Sequence, residues 1–149
     1  MDAAILSIGT ELTLGQTVDT NSAWLSRRLA EIGVPVRMHV TVSDDLEPIR
    51  RELKRAAENV DVVLITGGIG PTEDDLTRQA LADVMGVSLE LREEWVERIR
   101  EYFTSRGREM PEANRVQAMF PVGSDPIPNC CGTAPGIRAR CGRAQVFVM

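Results

Sequence analysis

The chain has 149 residues, 43% of them hydrophobic and 26% charged, which predicts one folded domain and excludes a disordered or fibrous class. With 17 basic and 22 acidic residues and one histidine the formal charge is −5, against electrostatic attraction to nucleic acid or an anionic membrane surface. No apolar run approaches the roughly 18 residues of a spanning helix, and Asp2 stands where a signal peptide would be basic, so a cytoplasmic location is expected.

Ala3 to Gly9 is a short apolar run closed by glycine, the pattern of a strand buried on both faces. From Ser22 to Ile32, Leu25, Leu29 and Ile32 share one helical face, with Asp19, Thr20 and Asn21 as candidate caps and Gly33 as the stop. Val34 to Val42 alternates apolar and polar residues, predicting a strand with His39 on its wetter face. A second helix runs through Leu46, Ile49, Leu53, Ala56 and Ala57 to Asn59, with Asp44 or Asp45 able to cap it. Val62 to Ile65 is a β-branched strand that meets Thr66-Gly67-Gly68, and Asp74 to Met85 follows as a helix with acidic residues in its first turn. This alternation predicts a mostly parallel sheet covered on both faces.

Glu93 to Tyr102 is a further helix, and Trp24 and Trp95 read as packing residues. Ser105 to Pro111 reads as loop, Ala113 to Met119 as a short helix, and Pro121 to Pro135 as loop rich in proline, glycine and asparagine. Ile137 to Arg140 and Ala144 to Met149 flank a hairpin turn at Cys141-Gly142-Arg143. Cys130, Cys131 and Cys141 cannot all pair and contain no CxxC, and His39 is distant in sequence, so neither a disulfide framework nor a zinc site is expected. They read as small reduced loop residues. Lys54 is the only lysine, so a basic contact to phosphate would come from arginine.

The stretch Thr66 to Thr77 carries the strongest chemical signal. Gly67, Gly68 and Gly70 lack Cβ atoms between a buried strand and a helix start, where backbone N–H groups and the helix dipole favour an anion. A glycine turn needed only for chain geometry is the alternative. The Walker pattern fails, because Glu73, Asp74 and Asp75 replace its lysine, and the spacing is wrong for GxGxxG. Carboxylates beside a phosphate repel it unless a divalent cation lies between them, which predicts a metal-bridged site with Arg78 as counter-charge. Parallel connectivity brings Glu11, Asp44 and Asp75 toward one crevice, although capping competes with site duty for Asp44 and Asp45, and Asp74 reads equally as a helix-dipole charge.

Ile8–Leu12, Leu14–Gln16, Val18–Ser22, Gly67–Thr77, Asn114–Ala118 and Asn129–Gly136 together resemble, in order and spacing, the N-terminal domain of the competence/damage-inducible CinA family. The broader resemblance is to the molybdopterin-binding superfamily of MogA and MoaB, which implies a three-layer α/β/α fold with a mostly parallel sheet. It implies Asp75 and Asp44 as the catalytic pair and the holders of a divalent metal cation. Metal-dependent hydrolysis of ADP-ribose is the activity the resemblance implies, with no Nudix box in the sequence. Phosphate and nucleotide contacts are then expected from Gly67, Gly68, Gly70, Pro71, Thr72, Thr77, Thr10, Glu11, Asn114 and Thr133. The family's NMN deamidase activity belongs to a separate C-terminal domain and is not assigned here. The family continues past Val146–Met149 into a Pro-Gly-containing loop, so the chain reads as C-terminally truncated.

These readings give a nucleotide pyrophosphatase acting on a small-molecule nucleotide diphosphate, or else a pterin- or nucleotide-binding module without turnover, or a regulatory domain for assembly. Neither nucleic acid nor a membrane is an expected partner, and homo-oligomerisation is left open.

Overall fold

An uncharged run follows Asp2, and in the computed structural model, which describes residues 1–149, it forms β1 (Ala3–Ile8) with all six residues buried. The chain continues through α1 (Thr10–Thr13), α2 (Thr20–Glu31), β2 (Val36–Val42), α3 (Leu46–Asn59), β3 (Val62–Thr66) and α4 (Thr77–Met85). After β4 (Leu89–Leu91) and α5 (Glu93–Thr104) come a 3-10 helix (Glu112–Ala118), β5 (Met119–Pro121), β6 (Asp125–Ile127), β7 (Gly136–Cys141) and β8 (Ala144–Val148). The main sheet has the order β2-β1-β3-β8-β7-β6. Its first four strands are parallel, Ile5 standing beside His39 and Leu64 and Leu64 beside Phe147, while β7 and β6 add antiparallel pairs at one edge.

The two-residue period of a strand divides the core. Ala4, Leu6 and Ile8 of β1, Val63 and Ile65 of β3, and Val146 and Val148 of β8 face α3 and α4, where Ile49, Leu53, Ala80 and Leu81 meet them. Ile5 and Leu64 point the other way, against Leu25 and Leu29 of α2. The result is the expected three-layer α/β/α arrangement. Each fully buried Leu or Ile contributes roughly 1.5–3 kcal/mol relative to exposure, so this packing, more than helix propensity, sets the faces of α2, α3 and α4.

Several boundaries differ from the sequence reading. α2 starts at Thr20, because the Asp19 carboxylate accepts the Ser22 N–H at 3.0 Å and so caps the helix earlier. β2 starts at Val36, since Pro35 carries no N–H to donate to a ladder. α4 starts at Thr77; Glu73 and Asp74 precede it in a turn and Asp75 in irregular chain. The short helix is 3-10 in type, and the loop reading of Pro121 to Pro135 missed β6, which is three residues long and contains Pro126. β4 and β5 pair antiparallel as a separate small sheet. Trp95 packs against Phe120, whereas Trp24 is 54% exposed with the Arg28 guanidinium over its ring, so only one of the two tryptophans is a packing residue. Cys141 ends β7 as a buried core residue rather than a loop residue, paired across the hairpin with Ala144. No helix is long and apolar enough to cross a membrane.

Candidate ligand-binding crevice

β1 and β3 are neighbours, and the chain leaves β1 toward β2 on one side but leaves β3 toward the β8 side on the other; such a switch point opens a crevice in an α/β sheet. The loops after β1 and β3 meet there. Gly67 adopts φ 95°, and a Cβ on it would stand 2.2 Å from the Ile8 carbonyl oxygen, so only glycine permits this approach. A cleft of about 190 Å³ opens beside it, lined by Glu11, Asp19, Thr20, Asn21, Thr66 and Gly67 among others. That volume is below the roughly 300 Å³ at which small-molecule pockets begin, and it suits one phosphate-sized group rather than a whole nucleotide.

Thr10 and Asp44 join the loops after β1 and β2. The Thr10 N–H donates to Asp44 Oδ2 at 2.7 Å, and the Asp44 N–H donates to Thr10 Oγ1 at 3.2 Å. Neither aspartate of the pair caps α3 through its side chain, since Asp45 instead accepts the Ser43 hydroxyl at 2.6 Å. The capping alternative is therefore removed for Asp44. Glu11 folds back over the loop, and a Cβ on Gly9 would stand 2.5 Å from its Oε1.

The glycine loop is closed around Asp75. Asp75 Oδ1 accepts the Gly70 N–H at 2.7 Å, while Oδ2 accepts the Thr72 N–H at 2.8 Å and the Thr72 hydroxyl at 2.6 Å. Gly70 is thus not a positive-φ glycine opening its N–H to an outside anion, and its missing side chain instead makes room for Asp75, whose Oδ2 a Cβ would approach to 2.5 Å. Gly68, at φ 67°, and Ile69 donate their N–H groups to no other protein group, as do Glu73 and Asp74 further along the loop. Thr77 secures the base of the loop, its hydroxyl donating to the Gly67 carbonyl at 2.9 Å and its N–H to the Gly68 carbonyl at 3.1 Å.

Arg78, 2% exposed, lies under the same loop. Its guanidinium donates to the carbonyls of Ile69 and Gly70, and Nε has no partner. Burial lowers its pKa to about 10, partly offset by the Asp75 charge, so at neutral pH it remains a fixed cation beneath the loop. Asp19 is shifted in the acid direction. Burial raises its pKa, but the nearby Ser7 hydroxyl, the hydrogen bond from the Ser22 N–H and the neighbouring His39 outweigh that and hold the carboxyl below its ordinary value. His39 itself stays on the wetter face, within 2.7 Å of the Ser26 hydroxyl.

Among the residues expected at the site, Glu11 and Gly67 line the cleft, Asp44, Gly68, Gly70, Pro71, Thr72 and Asp75 lie in the loops after β2 and β3, and Thr10 and Thr77 are the first residues of α1 and α4. Asn114 and Thr133 do not join them. Asn114 is buried in the 3-10 helix with its amide donating to Gln117 Oε1 at 2.9 Å, and Thr133 lines a separate cavity of about 140 Å³ with Trp95, Arg98 and Tyr102. Asp19, Thr20, Asn21 and Thr66 also line the cleft beyond the expected site residues; the polar run Asp19–Ser22 is the signal for the first three, and Thr66 opens the glycine-loop stretch. No group of three or more His, Cys, Asp or Glu side chains converges to cage a metal ion. Asp44 and Asp75, both half-buried and accepting backbone N–H groups, fit a hard divalent cation only as one or two carboxylate ligands alongside ligand phosphates and water.

This crevice lies at the switch point of a mostly parallel sheet, the place at which open α/β domains as a class take ligands. Residues 4–149 match the family described as "Probable molybdopterin binding domain", and the chain belongs to that family, in its CinA-like branch. It is 50% identical over 137 residues to a CinA-like protein of Dictyoglomus thermophilum, covering 92% of this chain and 33% of that protein. With a CinA-like protein of Anaeromyxobacter dehalogenans it shares 44% identity over its whole length and 36% of the relative's. The chain thus spans about a third of the length of these curated relatives. The crystal structure of the protein CinA from Thermoplasma acidophilum, described as of unknown function, superposes with a TM-score of 0.90 at 33% identity, over 99% of this chain and 86% of that one. MoaB of Thermus thermophilus shares the fold alone, with a TM-score of 0.65 at 19% identity over 99% of this chain and 79% of that one.

Proposed function

We propose that this domain binds a diphosphate-bearing nucleotide or pterin across the carboxyl ends of β1, β2 and β3, and that it hydrolyses ADP-ribose or a similar nucleotide diphosphate. The observation that carries the reading is the seat of Asp75. A carboxylate held by two backbone N–H groups and a hydroxyl marks the glycine loop as an anion receptor, with Asp75 in the place that phosphate oxygens suit equally. Gly68 and Ile69 offer further N–H donors, and the buried Arg78 cation adds positive potential from below.

The remaining residues divide the work of binding. Thr10 and Asp44 hold the β1 and β2 loops together, so that phosphate docked on the glycine loop meets a fixed wall. The Asp19–Asn21 run and Thr66 supply polar groups to the small cleft. A divalent cation arriving with the ligand, held by Asp44 and Asp75, would neutralise phosphate charge and lower the pKa of a bound water. Support for a pterin as the alternative ligand comes from the family description. A binding module without turnover is the second reading, favoured by the commitment of both Asp75 oxygens to the loop.

A panel of ADP-ribose, other nucleotide diphosphates and molybdopterin, each with several divalent cations, tests this directly. Cation-dependent release of AMP from ADP-ribose is expected. Tight binding with no product under every cation assigns the second reading, and neither binding nor turnover overturns both.

A further inference from the structure

Cys130 and Cys131 take no part in the crevice. They are adjacent, both exposed, and their sulfurs lie 3.5 Å apart. We propose that this pair is a redox-modifiable dithiol, which a hydroperoxide converts to a vicinal disulfide and a small thiol reductant restores. The proposal rests on the geometry of the pair and is independent of the function assigned to the crevice.

The chemistry balances in two steps. One thiolate attacks a peroxide oxygen, the O–O bond breaks, and the sulfur becomes a sulfenic acid as hydroxide or alkoxide leaves and takes up the thiol proton. The neighbouring thiol then attacks that sulfur, forming the S–S bond and releasing water, so that two electrons pass from the dithiol to the hydroperoxide. The second step needs an approach from 3.5 Å to about 2.05 Å, which exposed side chains in van der Waals contact can make by rotation and a local loop adjustment. Adjacent Cα atoms stand about 3.8 Å apart across a trans peptide, closer than the usual disulfide range, so the ring is strained and readily reduced. That is the property of a reversible modification, not of a structural crosslink.

The loop around the pair is built to register the change. Asn129 Oδ1 accepts the Cys131 N–H at 2.9 Å, and Asn129 Nδ2 donates to the Ala134 carbonyl at 2.9 Å, so one side chain ties the turn at both ends. Closing the ring rotates the Cys130–Cys131 peptide and loosens this tie. The same loop borders the Thr133 cavity and an apolar trench of about 760 Å³ that Phe147, Leu64 and Ile32 also line. Cys141 is an internal contrast in access: it is 5% exposed and burial pushes its thiol up to about 11, whereas the Cys131 thiol, though also raised by its hydrogen bond with Cys130, stays open to solvent and to a peroxide.

Intact mass and thiol titration after stoichiometric hydrogen peroxide provide the test. The expected result is a protein lighter by two hydrogens, with one titratable thiol left of three after unfolding, and full reversal by dithiothreitol. Cys141→Ala must keep the two-hydrogen loss, and Cys130→Ser must abolish it. Hydrogen exchange at residues 129–134 should quicken in the oxidised form. Oxygen adducts without hydrogen loss, disulfide-linked dimers, or an unchanged mass would each overturn the proposal.

Discussion

Thr10 and Asp44 exchange hydrogen bonds across the ends of β1 and β2, each backbone N–H donating to the other's side chain, at 2.7 Å and 3.2 Å. Two loops separated by the whole of α2 and β2 are thereby fixed against one another at the mouth of the crevice.

Thr10→Val keeps the shape of the side chain and removes the acceptor for the Asp44 N–H. Because the pair is solvent-accessible, the expected loss of stability is below about 1.5 kcal/mol in a denaturant titration. ADP-ribose affinity should nevertheless fall about tenfold in calorimetry, since the loop wall is no longer held; that factor corresponds to about 1.4 kcal/mol. Equal affinity in the folded variant counts against a positioning role for the pair.

Asp75→Asn places an amide where a carboxylate accepts from both sides. Its oxygen can face Thr72, but its NH₂ then meets the Gly70 N–H, donor against donor. The expected destabilisation is about 1–3 kcal/mol, together with loss of ligand binding, read by thermal melts and calorimetry. A variant as stable as the parent would show that the carboxylate is not seated on the loop in solution.

Gly70→Ala tests the same seat from the other side. The added Cβ would lie 2.5 Å from Asp75 Oδ2, so the carboxylate must move and release the Gly70 and Thr72 N–H groups. In an NMR spectrum both amide resonances should shift, with those of the β7–β8 turn unchanged.

Alkaline stability should report Cys141. Burial raises this thiol from an ordinary value of 9.0 to about 11, so above pH 9 the unfolded chain gives up a proton that the folded chain keeps. Stability therefore declines with pH across that window, by on the order of 2 kcal/mol. Arg78 acts in the opposite direction above its lowered value of about 10, because the unfolded state then holds the extra proton. The difference between the parent and Cys141→Ala cancels the arginine contribution, and it should fall between pH 9 and 11 if the thiol is the cause.

The sequence carried the layers of the fold because they rest on periodicity. Leu25 and Leu29 in α2, Ile49 and Leu53 in α3, and the alternation through β2 are local patterns, and burial acts on them directly. The antiparallel edge was half visible: the hairpin of β7 and β8 has a glycine at φ 58° in its turn, but three-residue β6 has no period to read. At the site, glycine spacing marked the loop between β3 and α4, but it could not show that the Asp75 carboxylate takes up the Gly70 and Thr72 N–H groups. The return of Asp75 onto Gly70 and Thr72 delays α4 to Thr77, and nothing in helix propensity distinguishes that from a helix begun at Asp74. Asn114 stood out through its motif alone, and the structure spends it on Gln117.

Amide chemical-shift mapping with ADP-ribose and magnesium tests the central claim most directly. The account predicts that the largest shifts fall on Gly9 to Asn21, Ser43 to Asp45 and Gly67 to Thr77, with Gly68 and Ile69 foremost, and that adenosine without phosphate leaves these two in place. Shifts confined to the apolar trench beside Phe147, or none at saturating ligand, would contradict it.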